Sequence, residues 1–265
     1  METIVSSLHF GWDNMENCFS RVKNEFGVAG VELSFHESFT RPHCTREDIA
    51  SIRGTNESLG ISLYAHIWEN IAQLGEEKAI EAIRYWAEIG AKAGVKGFVI
   101  HGGSFPDQNE GIARTRRALE QVLPELEKNK MVLFLENHYA YDYKGCQELF
   151  SESWEFENVF SLDSPSLRFC FDTGHANLTG NTDDLLAKLH PYLSHIHLAD
   201  NHGVNDDHCL YKEGTVKWDL VWGKLRDNKF DGTFCFEFPV RDDVMPFHQC
   251  ISDIESLRTR KPAIR

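Results

Sequence analysis

Short, nearly continuous apolar runs alternate along the chain with longer segments in which apolar residues recur every three or four positions. The runs are typical of strands buried on both faces, and the longer segments have the period of amphipathic helices. The runs predict strands at residues 4–8, 28–35, 61–67, 96–103, 131–137, 168–172, 193–199 and 232–239. The segments between them predict helices at residues 13–26, 45–59, 75–93, 108–129, 145–156, 185–189, 218–228 and 242–257.

Strict alternation of strands and helices predicts a parallel sheet, and eight such units predict an α/β fold of the (β/α)8 TIM-barrel type. No linker rich in Pro, Gly or Ser interrupts the chain, so we expect a single domain over residues 1–265. The rival architecture is an open doubly wound sheet. It would normally carry a glycine-rich phosphate loop after the first strand, and the segment SSLHFGWDN at 6–14 is not one.

Polar residues recur near the ends of the predicted strands, about 35 residues apart, which is the length of one strand and one helix. The members of this series are Glu32, His66, His101, Glu136 and Asp172. Because the carboxyl ends of the strands of such a barrel meet on one face, we expect the active site there. Glu32 lies inside its strand, and a buried carboxylate at that position needs a partner or a role.

The overall charge narrows the classes of ligand. The chain has 27 Lys and Arg against 41 Asp and Glu, a formal net charge of −14, which disfavours nucleic acid as a partner.

Seven cysteines are scattered singly without a CxxC pair, as is typical of a reducing compartment. The N-terminus lacks a basic leader with a long apolar core, and no apolar run approaches the roughly 20 residues of a membrane span. We therefore expect a cytoplasmic protein that does not enter a membrane.

Four acidic and imidazole side chains come from the last four predicted strands, which are neighbours around a barrel. This primary ligand set consists of Glu136, Asp172, His197 and Glu237. Three carboxylates and one imidazole suit a divalent metal such as Zn²⁺, Mn²⁺, Mg²⁺ or Co²⁺. Glu136 and Glu237 are also candidates for a catalytic acid and base that exchange a proton with a substrate carbon.

A secondary ligand set, richer in nitrogen, consists of His66, His101, His175, Asp206 and His208. These residues could hold one or two further ions, for a total of one to three, or they could hydrogen-bond a polyhydroxy substrate. His66, His175, Trp68 and Lys212 are candidate substrate contacts, and Trp12, Tyr139 and Tyr141 offer further aromatic surfaces for a sugar. His195 faces the same way as His197 but lies deeper in the barrel, so we interpret it as structural.

The motifs at these positions resemble those of the xylose-isomerase-like TIM-barrel superfamily, and the resemblance covers essentially the whole chain. The segments that carry it are VAGVELSF, YAHIWEN, VIHGGS, LFLEN, CFDTGH, HIHLAD, EGTVKWDLV and FCFEF. The superfamily includes sugar isomerases and epimerases, inosose dehydratases, and apurinic/apyrimidinic endonucleases. The resemblance therefore implies metal-dependent chemistry at the strand ends and leaves several activities open.

In ketose 3-epimerase-like members, the primary ligand set would hold one divalent ion, the two glutamates would move the proton and His175 would contact the substrate. Those enzymes usually carry an arginine a few residues after the histidine of the seventh strand, whereas this chain has Gly203. In the endonucleases, both ligand sets together would hold three zinc ions around a phosphodiester.

Taken together, these features predict a divalent-metal-dependent isomerase or epimerase of a small sugar or sugar-like polyol, acting by proton abstraction next to a carbonyl. The alternatives are a zinc-dependent endonuclease-like phosphodiester hydrolase and an inosose dehydratase-like lyase. Barrels of this kind commonly pair through their faces, so we also expect a homodimer.

Overall fold

The chain folds into alternating strands and helices. The computed structural model describes residues 1–7, 15–35, 46–238 and 245–259. The strands in this part of the chain are β1 (Glu2–Ser6), β2 (Gly30–Phe35), β3 (Ser62–Ile67), β4 (Val95–Ile100), β5 (Ser104–Phe105), β6 (Val132–Glu136), β7 (Asp142–Tyr143), β8 (Cys146–Glu148), β9 (Leu167–Asp172), β10 (Leu193–Leu198) and β11 (Thr233–Phe236). The helices are α1 (Met15–Asn24), α2 (Arg46–Leu59), α3 (Ile71–Leu74), α4 (Glu76–Ala93), α5 (Gln108–Lys128), α6 (Ser153–Phe160), α7 (Thr173–Thr179), α8 (Thr182–Leu189), α9 (Trp218–Asp227) and α10 (Met245–Thr259).

Eight strands close into a barrel in the order β1-β11-β10-β9-β6-β4-β3-β2, and every neighbouring pair is parallel. The predicted (β/α)8 barrel is confirmed. Because all eight strands run in the same direction, their carboxyl ends lie at one mouth of the barrel.

Apolar side chains fill two layers, one on each side of the barrel wall. Inside the barrel lies a small cluster formed by Ile4, Tyr64, Val99, Phe134, Cys170 and Cys235. A much larger cluster fills the space between the strands and the surrounding helices. Strands buried on both faces have to be apolar at nearly every position, which explains why their sequences read as continuous runs.

Helix α4 illustrates why the helix boundaries could be predicted. Its buried residues recur at helical spacing, and Gly94 ends it in the left-handed conformation with φ 86°. Two other predicted boundaries, the helix start at Asp13 and Asn14 and the capping box that begins at Thr45, lie outside the described residues. None of the helices in the described part of the chain has both the length and the apolar character of a membrane span.

The segment after β6 differs from the sequence prediction. We predict a helix at 145–156, but Cys146–Glu148 form β8 and α6 begins only at Ser153. Lys144 and Gly145 have positive φ values of 55° and 77°, a geometry that closes a tight hairpin between β7 and β8. Strand β8 also pairs with β5, so a small three-stranded sheet lies outside the barrel wall. The helix prediction is wrong here because a turn replaces the expected helix start.

Candidate active site at the barrel mouth

The primary ligand set meets at the carboxyl ends of β6, β9, β10 and β11. The Nδ1 atom of His197 lies 3.2 Å from Oε1 of Glu136 and 3.2 Å from Oε2 of Glu237. Glu136 and His197 are completely buried, and Glu237 is 2% exposed. Burial alone would raise the pKa of Glu136 and of Glu237, but the positive charge of the neighbouring His197 holds the pKa of both carboxyls well below the usual value.

Asp172 brings a third carboxylate to the same place. It ends β9 and caps α7, where its Oδ1 accepts a hydrogen bond of 2.6 Å from the backbone N–H of His175. Its Oδ2 is buried and has no hydrogen-bond partner among the described residues. Burial, together with the charges of Glu136 and Glu237, raises the pKa of Asp172 to about 7.

These residues fit a divalent cation. Three buried carboxylates in one place repel each other, and the unpartnered Oδ2 of Asp172 is an oxygen ligand that nothing else in the described chain uses. Several overlapping groups of buried Glu, His and Cys side chains around His197 also have ligand atoms within 4.8 Å of one another. A metal ion bound there would stabilise all three carboxylates in their charged form.

The secondary ligand set surrounds the primary one. His66 and His101 both approach Oε2 of Glu136, at 3.5 Å and 3.0 Å from their Nε2 atoms. The carboxylate of Asp206 lies between two imidazoles, 3.4 Å from Nε2 of His175 and 3.1 Å from Nε2 of His208. Burial alone would lower the pKa of His208, but Asp206 raises it to about 10. All nine ligand candidates predicted from the sequence therefore lie at one mouth.

The candidate substrate contacts are divided between the mouth and the outside of the barrel. Trp68 stacks on His66 with ring centroids 4.6 Å apart, and Tyr139 lies 5.5 Å from the ring of His175. Lys212 does not join them, because its Nζ lies 2.8 Å from Oδ2 of Asp253 on α10. Trp12 lies outside the described residues. The geometry thus favours Trp68 and Tyr139 as substrate contacts and does not support Lys212.

Comparison with known proteins identifies the family. A profile described as "xylose isomerase-like TIM barrel" matches residues 21–260. The chain belongs to this family.

One curated protein matches about half of the chain at low sequence identity. The uncharacterized protein MJ1311 of Methanocaldococcus jannaschii is 29% identical over 147 residues, which cover 52% of this chain and 49% of that protein. The chain therefore spans about half the length of the curated relative that it matches.

Three solved structures resemble the chain over nearly its whole length. A D-tagatose 3-epimerase-like protein has a TM-score of 0.82 at 22% identity, covering 97% of this chain and 98% of that one. The D-psicose 3-epimerase of Clostridium cellulolyticum H10 has a TM-score of 0.76 at 15% identity, with the same coverage. The 3-keto-D-glucoside 4-epimerase of E. coli has a TM-score of 0.73 at 20% identity, covering 98% and 100%. At these identities the likeness establishes a common fold.

Glu32 and His195 form a layer beneath the primary ligand set of this xylose isomerase-like barrel. Oε1 of Glu32 lies 3.0 Å from Nε2 of His197, and Oε2 lies 2.9 Å from Nε2 of His195. Burial alone would raise the pKa of Glu32, but the two histidines lower it to about 2. The sequence indicates that Glu32 needs a partner and that His195 lies deeper than His197, but it does not connect the two residues.

Asn137 is a residue of the site that the sequence reasoning missed. Its side chain donates a hydrogen bond of 3.1 Å to the carbonyl of Asp172 and accepts one of 2.8 Å from the N–H of Asp172. The backbone carbonyl oxygen of Asn137 lies 2.9 Å from Nδ1 of His175. Asn137 therefore holds Asp172 and His175 in place. Its position directly after Glu136 at a strand end was the available signal.

Gly203 occupies the position where the resemblance to ketose 3-epimerases implies an arginine. Its φ of 76° lies in the left-handed region, where a residue with a side chain is strained. Gly203 donates a hydrogen bond of 3.0 Å from its backbone N–H to Oδ1 of Asn201, which fixes the turn. An arginine at position 203 would therefore strain the backbone of this loop.

Asp200 anchors the loop that carries Asp206 and His208, and its loss is expected to destabilise the fold. Its Oδ1 accepts hydrogen bonds from the backbone N–H groups of Asn201 (2.9 Å) and Val216 (3.0 Å), and its Oδ2 accepts one from Nε1 of Trp218 (2.9 Å). Asp200→Ala leaves these three donors without that acceptor, so we expect unfolding free energy to fall by about 3 kcal/mol. Urea denaturation measures the change.

The matched control for Asp200→Ala is Asp207→Ala. Asp207 lies in the same loop but is exposed, and among the described residues its side chain accepts a single long hydrogen bond of 3.4 Å, from the N–H of His202. Its loss is expected to change stability by less than about 0.5 kcal/mol. Equal effects of the two substitutions would contradict the anchoring role of Asp200.

Proposed function

We propose that this protein is a divalent-metal-dependent isomerase or epimerase of a small sugar or sugar-like polyol. The observation that carries the proposal is the approach of two buried carboxylates, Glu136 and Glu237, to the same nitrogen of His197. They come from the ends of β6 and β11, which β9 and β10 separate in the barrel, so a substrate bound at the mouth can lie between them. The names of the solved structures with the same fold, which are sugar epimerases, support this interpretation.

In this proposal the primary ligand set would hold the metal. When bound, the ion polarises the carbonyl of the substrate and so makes the neighbouring C–H more acidic. One of the two glutamates removes the proton from that carbon, and the other returns a proton to the opposite face. Return of a proton to the opposite face of the same carbon inverts its configuration. Return to the former carbonyl carbon, together with transfer of a proton from the neighbouring hydroxyl to the former carbonyl oxygen, moves the carbonyl instead.

The surrounding side chains would hold the substrate. His175 and His66 lie beside the two glutamates, and their imidazoles can hydrogen-bond to sugar hydroxyls. The ring of Trp68, stacked on His66, offers an apolar face for the C–H groups of a sugar. Buried surroundings exclude water from the carboxylates, which strengthens their electrostatic effect on the reacting carbon.

Proton exchange with solvent tests the proposal even when the product has not been identified. The protein loaded with Mn²⁺, Co²⁺, Mg²⁺ or Zn²⁺ is incubated in D₂O with a panel of ketoses and inososes. We expect one deuterium to enter next to the carbonyl of at least one of them, as detected by mass spectrometry. A chelator should stop this incorporation and added metal should restore it. Loss of water from the sugar without epimerisation would contradict the proposal and indicate a lyase.

A second candidate function, phosphodiester hydrolysis at abasic sites in DNA, is favoured by one observation. Asp206 connects His175 and His208 next to His101 and His66, so ligands for additional ions surround the primary ligand set. This function requires close to three zinc ions per chain and cleavage of an abasic oligonucleotide. The formal net charge of −14 opposes it, because binding to DNA depends on neutralising phosphates. One ion per chain and an uncut oligonucleotide would exclude it.

A further inference from the structure

The small sheet beside the mouth supports a row of tyrosines. The β7 and β8 hairpin is held by backbone pairing of β8 with β5, in which Ser104 faces Glu148. Tyr139, Tyr141 and Tyr143 are two residues apart, and their side chains contact one another on the same side of the segment. The hairpin therefore presents a fixed aromatic surface.

This aromatic surface continues into the candidate active site. Ring centroids are 6.2 Å apart for Tyr143 and Tyr141, 5.9 Å for Tyr141 and Tyr139, and 5.5 Å for Tyr139 and His175. Tyr141 is 48% exposed and Tyr143 is 55% exposed, although large aromatic side chains at the surface forgo the gain from burial. The row thus leads from solvent to His175 with no break.

Tyr141 also lines a surface groove with a volume of about 380 Å³. The polar side chains that share this Tyr141 groove include Asp142, Gln147, Glu148 and Glu152. No described residue donates a hydrogen bond to the half-buried carboxyl of Glu148. Burial raises the pKa of this carboxyl to about 7, and the nearby charge of His175 limits the rise. The ring of Tyr139 lies 5.9 Å from that of Tyr141 and 5.5 Å from that of His175, so the groove lies near His175 of the secondary ligand set.

We propose that the Tyr141 groove binds the second sugar ring of a glycoside whose reacting ring lies at the barrel mouth. The proposal rests on the proposed function and extends it, because it assigns the substrate to glycosides larger than a single sugar. A pyranose ring has an apolar C–H face that can stack on tyrosine. Its hydroxyls can donate to and accept from the carboxyl of Glu148 and the amide of Gln147.

A protein partner fits this surface less well. A partner that filled the groove would cover the carboxyls of Asp142, Glu148 and Glu152, and the cores of protein interfaces are depleted in charged residues. A sugar ring instead can hydrogen-bond to the carboxyl of Glu148, to which no described residue donates a hydrogen bond. The groove also opens beside a site whose proposed substrate is a sugar, so both rings of one molecule can be bound at once.

Binding of disaccharides that contain a ketose unit tests the proposal. The probes are lactulose, turanose and isomaltulose, each compared with D-fructose by calorimetric titration of the metal-loaded protein. We expect at least one of the disaccharides to bind about fivefold to tenfold more tightly than D-fructose, because of the added ring contact. Tyr141→Ala and Glu148→Ala should each reduce this ratio towards one. Tyr85→Ala is the matched control, since Tyr85 is 51% exposed on α4, and it should leave the ratio unchanged.

Three results would overturn the proposal. The first is that no disaccharide binds more tightly than D-fructose, or that none binds. The second is that the ratio is the same in Tyr141→Ala as in the unmodified protein. The third is that Tyr141→Ala converts a dimer to a monomer in light scattering without changing the ratio, which would make the groove a contact between copies of the chain. Failure of the proposed function appears separately, as the absence of deuterium incorporation into every ketose in the same samples.

Discussion

Glu237→Gln is expected to lower the rate of epimerisation about 100-fold to 10,000-fold, the usual contribution of a general acid or base. An amide has nearly the same shape as a carboxylate but cannot accept a proton from carbon. Oε2 of Glu237 lies 3.2 Å from Nδ1 of His197, and Oε1 lies 3.8 Å from Nδ1 of His66. Glutamine can keep its oxygen at the closer contact and place its amide NH₂ at the longer one. We therefore expect the variant to fold, and its melting temperature by circular dichroism checks this.

Comparison of Glu237→Gln with Glu136→Gln makes the test sharper. In an epimerase with two bases, each variant keeps the base that faces one of the two epimers. Each should therefore still exchange deuterium into one epimer while failing to convert it, and the preferred epimer should differ between the variants. Glu57→Gln is the control, because Glu57 is exposed on α2 and its ion-pair partner in the described part of the chain is Arg53 in the same helix. Full epimerisation by Glu237→Gln would remove this residue from the mechanism.

The barrel architecture could be predicted because the local sequence signals for strands and helix ends all agree with it. The motif SHIHLAD combines a strand pattern with His195 and His197 on one face, and both side chains do point to the interior of the described barrel. Gly94 stops α4 in the left-handed conformation, as its position in the sequence predicts. The strand-end spacing then requires the carboxylates to converge at one mouth, since a closed parallel barrel has no other arrangement.

Two features of the structure could not be predicted from local signals. Residues 145–156 carry apolar positions at helical spacing, yet Leu149 and Phe150 are buried beside a hairpin whose turn depends on positive φ at Lys144 and Gly145. Lys212 looked available for a substrate, but its partner Asp253 lies 41 residues away on α10. Nothing in the sequence near either residue indicates that pair. The helix prediction fails because of an unrecognised turn, whereas the role of Lys212 stays a prediction that a tertiary contact does not favour.

Glu32→Gln is expected to weaken metal binding about 10-fold to 100-fold, the usual cost of losing a carboxylate that orients a metal-binding histidine. Glu32 lies 3.0 Å from Nε2 of His197, so it directs the opposite nitrogen, Nδ1, towards Glu136 and Glu237. It also lies 2.9 Å from Nε2 of His195, which keeps the carboxylate from turning. A glutamine keeps the shape but loses the negative charge that makes His197 a stronger ligand. Competition with a chromogenic chelator measures the affinity.

Loss of stability has to be separated from loss of metal affinity in that experiment. Glu155→Gln is the matched control, because Glu155 is also completely buried but holds the first turn of α6, and its hydrogen-bond partners Gln108, Ser151 and Glu152 belong to neither ligand set. Both substitutions are expected to lower the melting temperature, whereas only Glu32→Gln should weaken metal binding. If Glu32→Gln binds the metal with unchanged affinity, the orientation of His197 is fixed by Glu136, Asp172 and Glu237 and does not depend on Glu32. Reduced affinity in both variants would mean that metal binding follows overall stability and not the orientation of His197.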